Sequence, residues 1–203
     1  MSVFNSLPPK INKNHLIKWL KLNYSFLKRK SFILKPLNSE RDKNFLIVLN
    51  SSTKKYVIKI SNTVESKKLL DLQDYVLKEL KKNLILKKFI PEKIHSNIKI
   101  YSDLNNRKCF VRILSYIDGK MYANSKQNSE LERSLGILLG YLSKELQNLM
   151  KPSALRKFEW DPSNIKWINK EIKNFHGKNK NIILKILLEH KIFVTKNINN
   201  LRF

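Results

Sequence analysis

The sequence predicts an α+β fold in which five antiparallel strands, with one helix inserted after the third, lead into a helical region. Three observations carry this. Short β-branched runs alternate with period two over 31–60 and 94–115, separated by turn residues. One amphipathic stretch behind Thr63 interrupts those runs. Beyond Tyr116-Ile117-Asp118-Gly119 the apolar residues recur at helical spacing instead. The chain divides accordingly into an arm and helix (1–28), a stranded lobe (29–116) and a run of helices (117–203).

Each element has its own signal. Pro8-Pro9 blocks a helix, so 1–12 is an extended arm. From Asn14, the spacing of Leu16, Ile17, Leu20 and Tyr24 predicts a short amphipathic helix to about Lys28. Strands follow at 31–37, 44–49 and 55–60, with Asn50-Ser51-Ser52-Thr53 turning between the last two. Thr63 is the expected N-cap of the inserted helix, with Glu65 in its first turn at the positive end of the dipole. Leu69, Leu72, Val76, Leu77 and Leu80 form its apolar stripe, and Pro91 lies beyond its end. Strands at 94–101 and 108–115 flank the hairpin turn Asp103-Leu104-Asn105-Asn106.

After the break at 116–119, Ser129 and Glu132 read as a capping box. Behind it Leu131, Leu135, Leu138, Leu139, Leu142, Leu146 and Leu149 give one apolar face. Gly136 and Gly140 on its other side fit either a close helix crossing or tolerated surface positions. Trp160-Asp161-Pro162 opens another helical region with Trp167 and Ile168 as core candidates, and a last amphipathic helix covers 181–193.

The net charge of +25 is the largest compositional signal. Of 41 basic residues only seven are arginine, and the lysines are scattered over every segment. Dispersed charge of this kind is a solvated surface, so no specific nucleic-acid partner is expected; a basic nucleic-acid-binding protein is the lesser alternative, after a noncatalytic nucleotide-binding or regulatory module. The single cysteine, Cys109, excludes an intramolecular disulfide and suits a reducing compartment. With no apolar signal core at the N-terminus and no 18-residue apolar run, the expectation is a soluble, cytoplasmic protein without a membrane partner.

Lys59 is the residue that needs a reason. In the strand Tyr56-Val57-Ile58-Lys59-Ile60, Tyr56, Ile58 and Ile60 face one way, Val57 and Lys59 the other. Beside the polar turn 39–44, that lysine is placed to reach the phosphates of a nucleotide.

Five strings in order then resemble one family. These are 37–45 (Leu37-Asn38-Ser39-Glu40-Arg41-Asp42-Lys43-Asn44-Phe45), 56–62, Leu70-Asp71-Leu72-Gln73, 111–119 and Phe158-Glu159-Trp160-Asp161. Together they resemble the aminoglycoside phosphotransferase superfamily. The nearest branch is that of hydroxylysine kinases and aminotransferase-fused phosphotransferases. The resemblance implies a protein-kinase-like fold, with 29–116 as the nucleotide-binding N-lobe and 117–203 as the first helices of an incomplete C-lobe. It implies ATP or GTP with Mg²⁺, and transfer of the γ-phosphate to a hydroxyl of an amine or amino acid such as hydroxylysine.

Residue by residue, Lys59 would hold the α- and β-phosphates. Ser39, Arg41, Asp42 and Asn44 would replace a glycine-rich phosphate cover, with an ordinary charged hairpin turn as the plainer alternative. Ser115 and Ile117 would offer backbone groups to the base. Gln73 falls where kinases carry the glutamate that pairs with the strand lysine, and would accept a hydrogen bond from Lys59. Glu65 is the substitute if the helix begins differently.

The family's catalytic loop, HxDxxxxN, and its later metal-binding aspartate are not found in these 203 residues. His15 and His95 lie upstream of any such loop. His190 is followed by Lys191-Ile192, and His176-Gly177-Lys178 puts a lysine where the base belongs. By family spacing the loop should begin just after Phe203. The expectation is therefore a truncated, split or decayed gene product with no catalytic residue or metal ligand of its own. It would at most bind a nucleotide, with apolar helix faces left uncovered. In the split case, a partner chain would carry the remainder of the C-lobe.

Overall fold

The computed structural model describes residues 6–149, 165 and 167–197. It is an α+β structure with five helices and one five-stranded antiparallel sheet among the described residues. The helices are α1 (Lys13–Asn23), α2 (Lys67–Leu80), α3 (Ser129–Gln147), α4 (Ile168–Glu171) and α5 (Gly177–Asn197). The strands are β1 (Phe32–Leu37), β2 (Lys43–Leu49), β3 (Lys55–Ile60), β4 (Lys99–Ser102) and β5 (Lys108–Ser115), in sheet order β1-β2-β3-β5-β4. The chain separates into two compact units, Met1–Ala154 and Leu155–Phe203. The segment 116–119 therefore lies within the first.

Strand alternation sorts side chains between two faces. On one face Leu34, Phe45, Ile47, Ile58, Ile60, Val111 and Ile113 are buried against Leu16 and Leu20 of α1. Tyr24 and Leu27 complete that core, and aromatic edges join Trp19 to Tyr24 and Tyr101, and Phe26 to Tyr56. Cys109 sits in the same layer, where burial pushes its thiol up to about 11 and leaves it unreactive at neutral pH. This face is the main hydrophobic core of the first unit.

The arm is tied to the β4–β5 hairpin by one carboxylate. Asp103, almost fully buried, accepts from the backbone N–H of Lys10, Asn105 and Arg107 and from the Arg107 guanidinium. Arg107 donates onward to the carbonyl of Pro8. The hairpin turn falls where the sequence places it, with Asn106 taking the left-handed conformation (φ 57°) that asparagine tolerates.

Several boundaries shift for local reasons. α1 ends at Asn23 rather than near Lys28, because Ser25–Leu27 tightens into a 3₁₀ turn. α2 is capped by Ser66, whose hydroxyl accepts from Leu69 N at 3.2 Å, and not by Thr63. Asn62 Oδ1 accepts from Val64 N, holding 62–65 as a turn and leaving Glu65 ahead of the helix. Of the expected α2 stripe only Leu80 is buried, joined by Leu70 one position away from Leu69.

The fourth strand is short. Ile94 N still bonds to Ile113 O, but Asn97 N then turns to His95 Nδ1, and pairing resumes only at Lys99. α3 starts one residue early in its capping: Asn128 Oδ1, not Ser129, accepts from Leu131 N at 2.8 Å. No residue of α3 or α5 is buried. A Cβ added at Gly136 or Gly140 would meet nothing within 4 Å, so no close helix crossing occurs there among the described residues. In the second unit α5 runs longer than expected, and Trp167, expected in a core, is 46% exposed. The string 158–161 and the helical opening at 160–162 lie outside the described residues.

Candidate functional site

The second face of the sheet is not a core. Register places Leu37, Asn44, Lys59 and Arg112 opposite one another in a row across β1, β2, β3 and β5. Paired residues project to the same side, so this row presents two cations and an amide. The next row toward the β5 C-terminus is Lys35, Leu46, Val57 and Leu114, aliphatic on the three inner strands and ending in an exposed lysine on β1. At a rise of about 3.3 Å per residue the two rows lie about 7 Å apart along the strands. An apolar shelf therefore adjoins a polar one, and the shelf is the row nearer to 115–118.

Lys59 is half-buried and has no carboxylate within ion-pair distance among the described residues. Beside it, Asn44 Oδ1 is buried and accepts no hydrogen bond among those residues. Gln73, expected to serve Lys59, does not. Its Oε1 accepts instead from Arg112 Nη2 at 2.7 Å. The guanidinium lies nearer to α2 and offers a planar fork that fits two acceptors at once.

Arg112 is buried and is the hub of this face. Nη1 donates to Asp74 Oδ1 at 2.7 Å and to the Leu70 carbonyl at 3.3 Å. The other Asp74 oxygen is ion-paired with Lys93, whose backbone bridges to Leu114. Neither Arg112 nor Asp74 nor Lys93 carries a role in the sequence reading. The signal was present: Arg112 is planted in Val111-Arg112-Ile113-Leu114 much as Lys59 is in its own strand.

The 39–44 turn divides in its roles. Ser39 is exposed and Arg41 half-buried. Asp42 Oδ1 accepts from Asn62 N at 2.9 Å, fastening the β1–β2 turn to the start of the α2 region. Only Asn44 of this set stands in the Lys59 row.

At the far end of β5, Ser115 is engaged on both sides. Its N–H donates to Glu92 O, and its hydroxyl accepts from Glu92 N. Ile117 is exposed, and Asp118 is ion-paired with Lys55, holding that ammonium above its usual value. Lys55 Nζ also lies 5.6 Å from the Tyr116 ring centroid.

The donor set fits an anion that carries an apolar ring: a cation without a carboxylate partner, an orphaned amide acceptor and an aliphatic shelf. It does not fit a metal ion. Among the described residues no cluster of three or more His, Cys, Asp or Glu side chains could hold one. Nor is any helix of the described residues long and apolar enough to cross a membrane. Neither the protein-family models nor the curated proteins give a match to this chain.

Proposed function

We propose that the sheet and α2 form a nucleotide-binding lobe of the kind found in phosphoryl-transfer enzymes. The finer reading is the N-terminal portion of a small-molecule kinase similar to the aminoglycoside phosphotransferase and hydroxylysine kinase group. The observation that carries it is the Leu37–Asn44–Lys59–Arg112 row, with an unpaired ammonium beside the Leu46–Val57–Leu114 shelf. In this reading the base lies on the shelf near the exposed Ile117, since the N–H groups of Ser115 and Tyr116 are already bonded to the carbonyls of Glu92 and Lys55. The phosphates extend toward Lys59 and the 39–44 turn.

Lys59 neutralises charge on the α- and β-phosphates, and a point charge on a flexible stem suits that task. Asn44 accepts from a ribose hydroxyl or from the lysine itself. Mg²⁺ would bring further phosphate neutralisation, but the chain's own residues supply the contacts argued here. The family's catalytic motif, which would supply a base for the acceptor hydroxyl, is not found in these 203 residues, so the reading is tested through binding.

The test is calorimetric titration of the full chain with ATP and with GTP at physiological salt, wild type against Lys59→Ala. Salt matters, because the net charge of +25 attracts any polyanion at low ionic strength. Saturable wild-type binding weakened about tenfold or more in the variant is expected. Equal affinity in the two proteins would remove Lys59, and with it the reading.

A further inference from the structure

Arg112 and Lys59 are direct register partners on one face, yet their surroundings differ completely. Arg112 engages the Leu70 carbonyl, Gln73 and Asp74 of α2. Lys59 engages no acidic group among the described residues. Side chains at paired strand positions are about 5 Å apart at Cβ, so an acceptor within bonding distance of one is within the sweep of the other. We propose that Arg112 is the positioning residue of this anion site. By engaging Asp74 and Gln73 of α2 from β5, it keeps the Lys59 ammonium available to an anionic ligand.

Three features support the division of labour. Asp74 Oδ1 accepts from Arg112, and Oδ2 is ion-paired with Lys93 without accepting a hydrogen bond, so each oxygen already faces a cation. The guanidinium spans Asp74 and Gln73 from two separate nitrogens, a planar fork that an ammonium's single nitrogen does not reproduce. The local charge balance of Arg112, Lys93 and Lys59 against Asp74 is positive, so the field at Lys59 favours an anion. It follows that α2 docks on the sheet without help from Lys59 or from a ligand. The identity of the ligand rests on the nucleotide reading; the arrangement of charges does not.

Arg112→Met and Arg112→Met/Asp74→Asn, made in the full chain, test the proposal. In Arg112→Met the freed Asp74 oxygen turns to Lys59, and ATP affinity falls by about tenfold. Removing the competing charge in the double variant restores affinity to within about threefold of wild type. A single variant with unchanged affinity, or a double variant as weak as the single, overturns the proposal. Because Arg112→Met leaves a buried charge half-paired, which destabilises the lobe, Arg112→Lys supplies a second reading. There, acylation of Lys59 by an amine-reactive ester, followed by peptide mass spectrometry, is expected to slow by about threefold and to recover with Asp74→Asn. Equal labelling in all three proteins overturns it. The labelling needs no nucleotide, so a wild type that fails to bind ATP sinks the proposed function alone.

Discussion

The two faces of the sheet are made by the same strands and behave as different materials. Ile58 is buried among aliphatic and aromatic neighbours under α1, while Val57 and Lys59 on either side of it are half-buried on the other face. One face is filled by its own chain. The other is floored by Leu46, Val57 and Leu114, fixed at one edge by the Arg112–Asp74–Lys93 cluster and left with a cation in search of a counter-charge. A face that only had to fold would not plant Lys59 and Arg112 side by side. The hydrophobic core is concentrated on the first face, and the second is the one on which a ligand is proposed to bind.

The largest expected effect breaks that comparison at a single strand. Ile58→Ala removes fully buried methyl groups and should cost about 2–5 kcal/mol. Val57→Ala, its neighbour on the half-buried face, should cost about 1 kcal/mol. Urea unfolding of the two variants, read as midpoints at constant slope, checks the contrast. Equal costs would mean that the second face is packed as tightly as the first.

Next in size is the carboxylate that fastens the arm to the hairpin. Burial pushes the Asp103 pKa up, but the Arg107 side chain and the N–H groups of Arg107, Lys10 and Asn105 outweigh it and bring it down to about 2. A depressed folded-state pKa contributes stability that is complete above the unfolded value near 4. That contribution is lost as the pH falls through about 2. Thermal unfolding between pH 5 and 2 should therefore show a steep acid limb, flattened in Asp103→Asn (the window follows from the shift). At neutral pH the same substitution should cost about 1–3 kcal/mol, because it weakens acceptance of several buried N–H groups. An unchanged acid limb would locate the acid sensitivity elsewhere.

The difference between the faces also explains what could be read in advance. Period-two alternation reports burial, so β3 and β5 are where the sequence puts them, and the Asp103–Asn106 turn with them. Caps proved harder, since Thr63, expected to start α2, lies three residues ahead of the Ser66 cap. The Asn62 side chain's bond to Val64 N holds the residues between as a turn. The apolar spacing of α3 and α5 predicts helices correctly but not burial, because periodicity says which residues share a face and not what covers it. For the site, an out-of-place lysine pointed to the face that carries the Arg112–Asp74–Lys93 cluster. The partner of Gln73 was illegible because it depends on β5 lying beside β3, a long-range pairing that the sequence reading did not use.

The smallest expected effect sharpens the comparison most. Lys59→Ala removes a half-buried ammonium with no hydrogen bond or ion pair among the described residues. Urea unfolding without ligand should shift by no more than about 0.5 kcal/mol, in either direction. The Arg112–Asp74–Lys93 cluster is expected to stay intact, since none of its bonds involves Lys59. A lysine whose loss is silent in folding and costly in nucleotide binding is held in its strand for a ligand. If instead Lys59→Ala unfolds the lobe as Ile58→Ala does, the ammonium is structural, and the second face is a core with a charge in it.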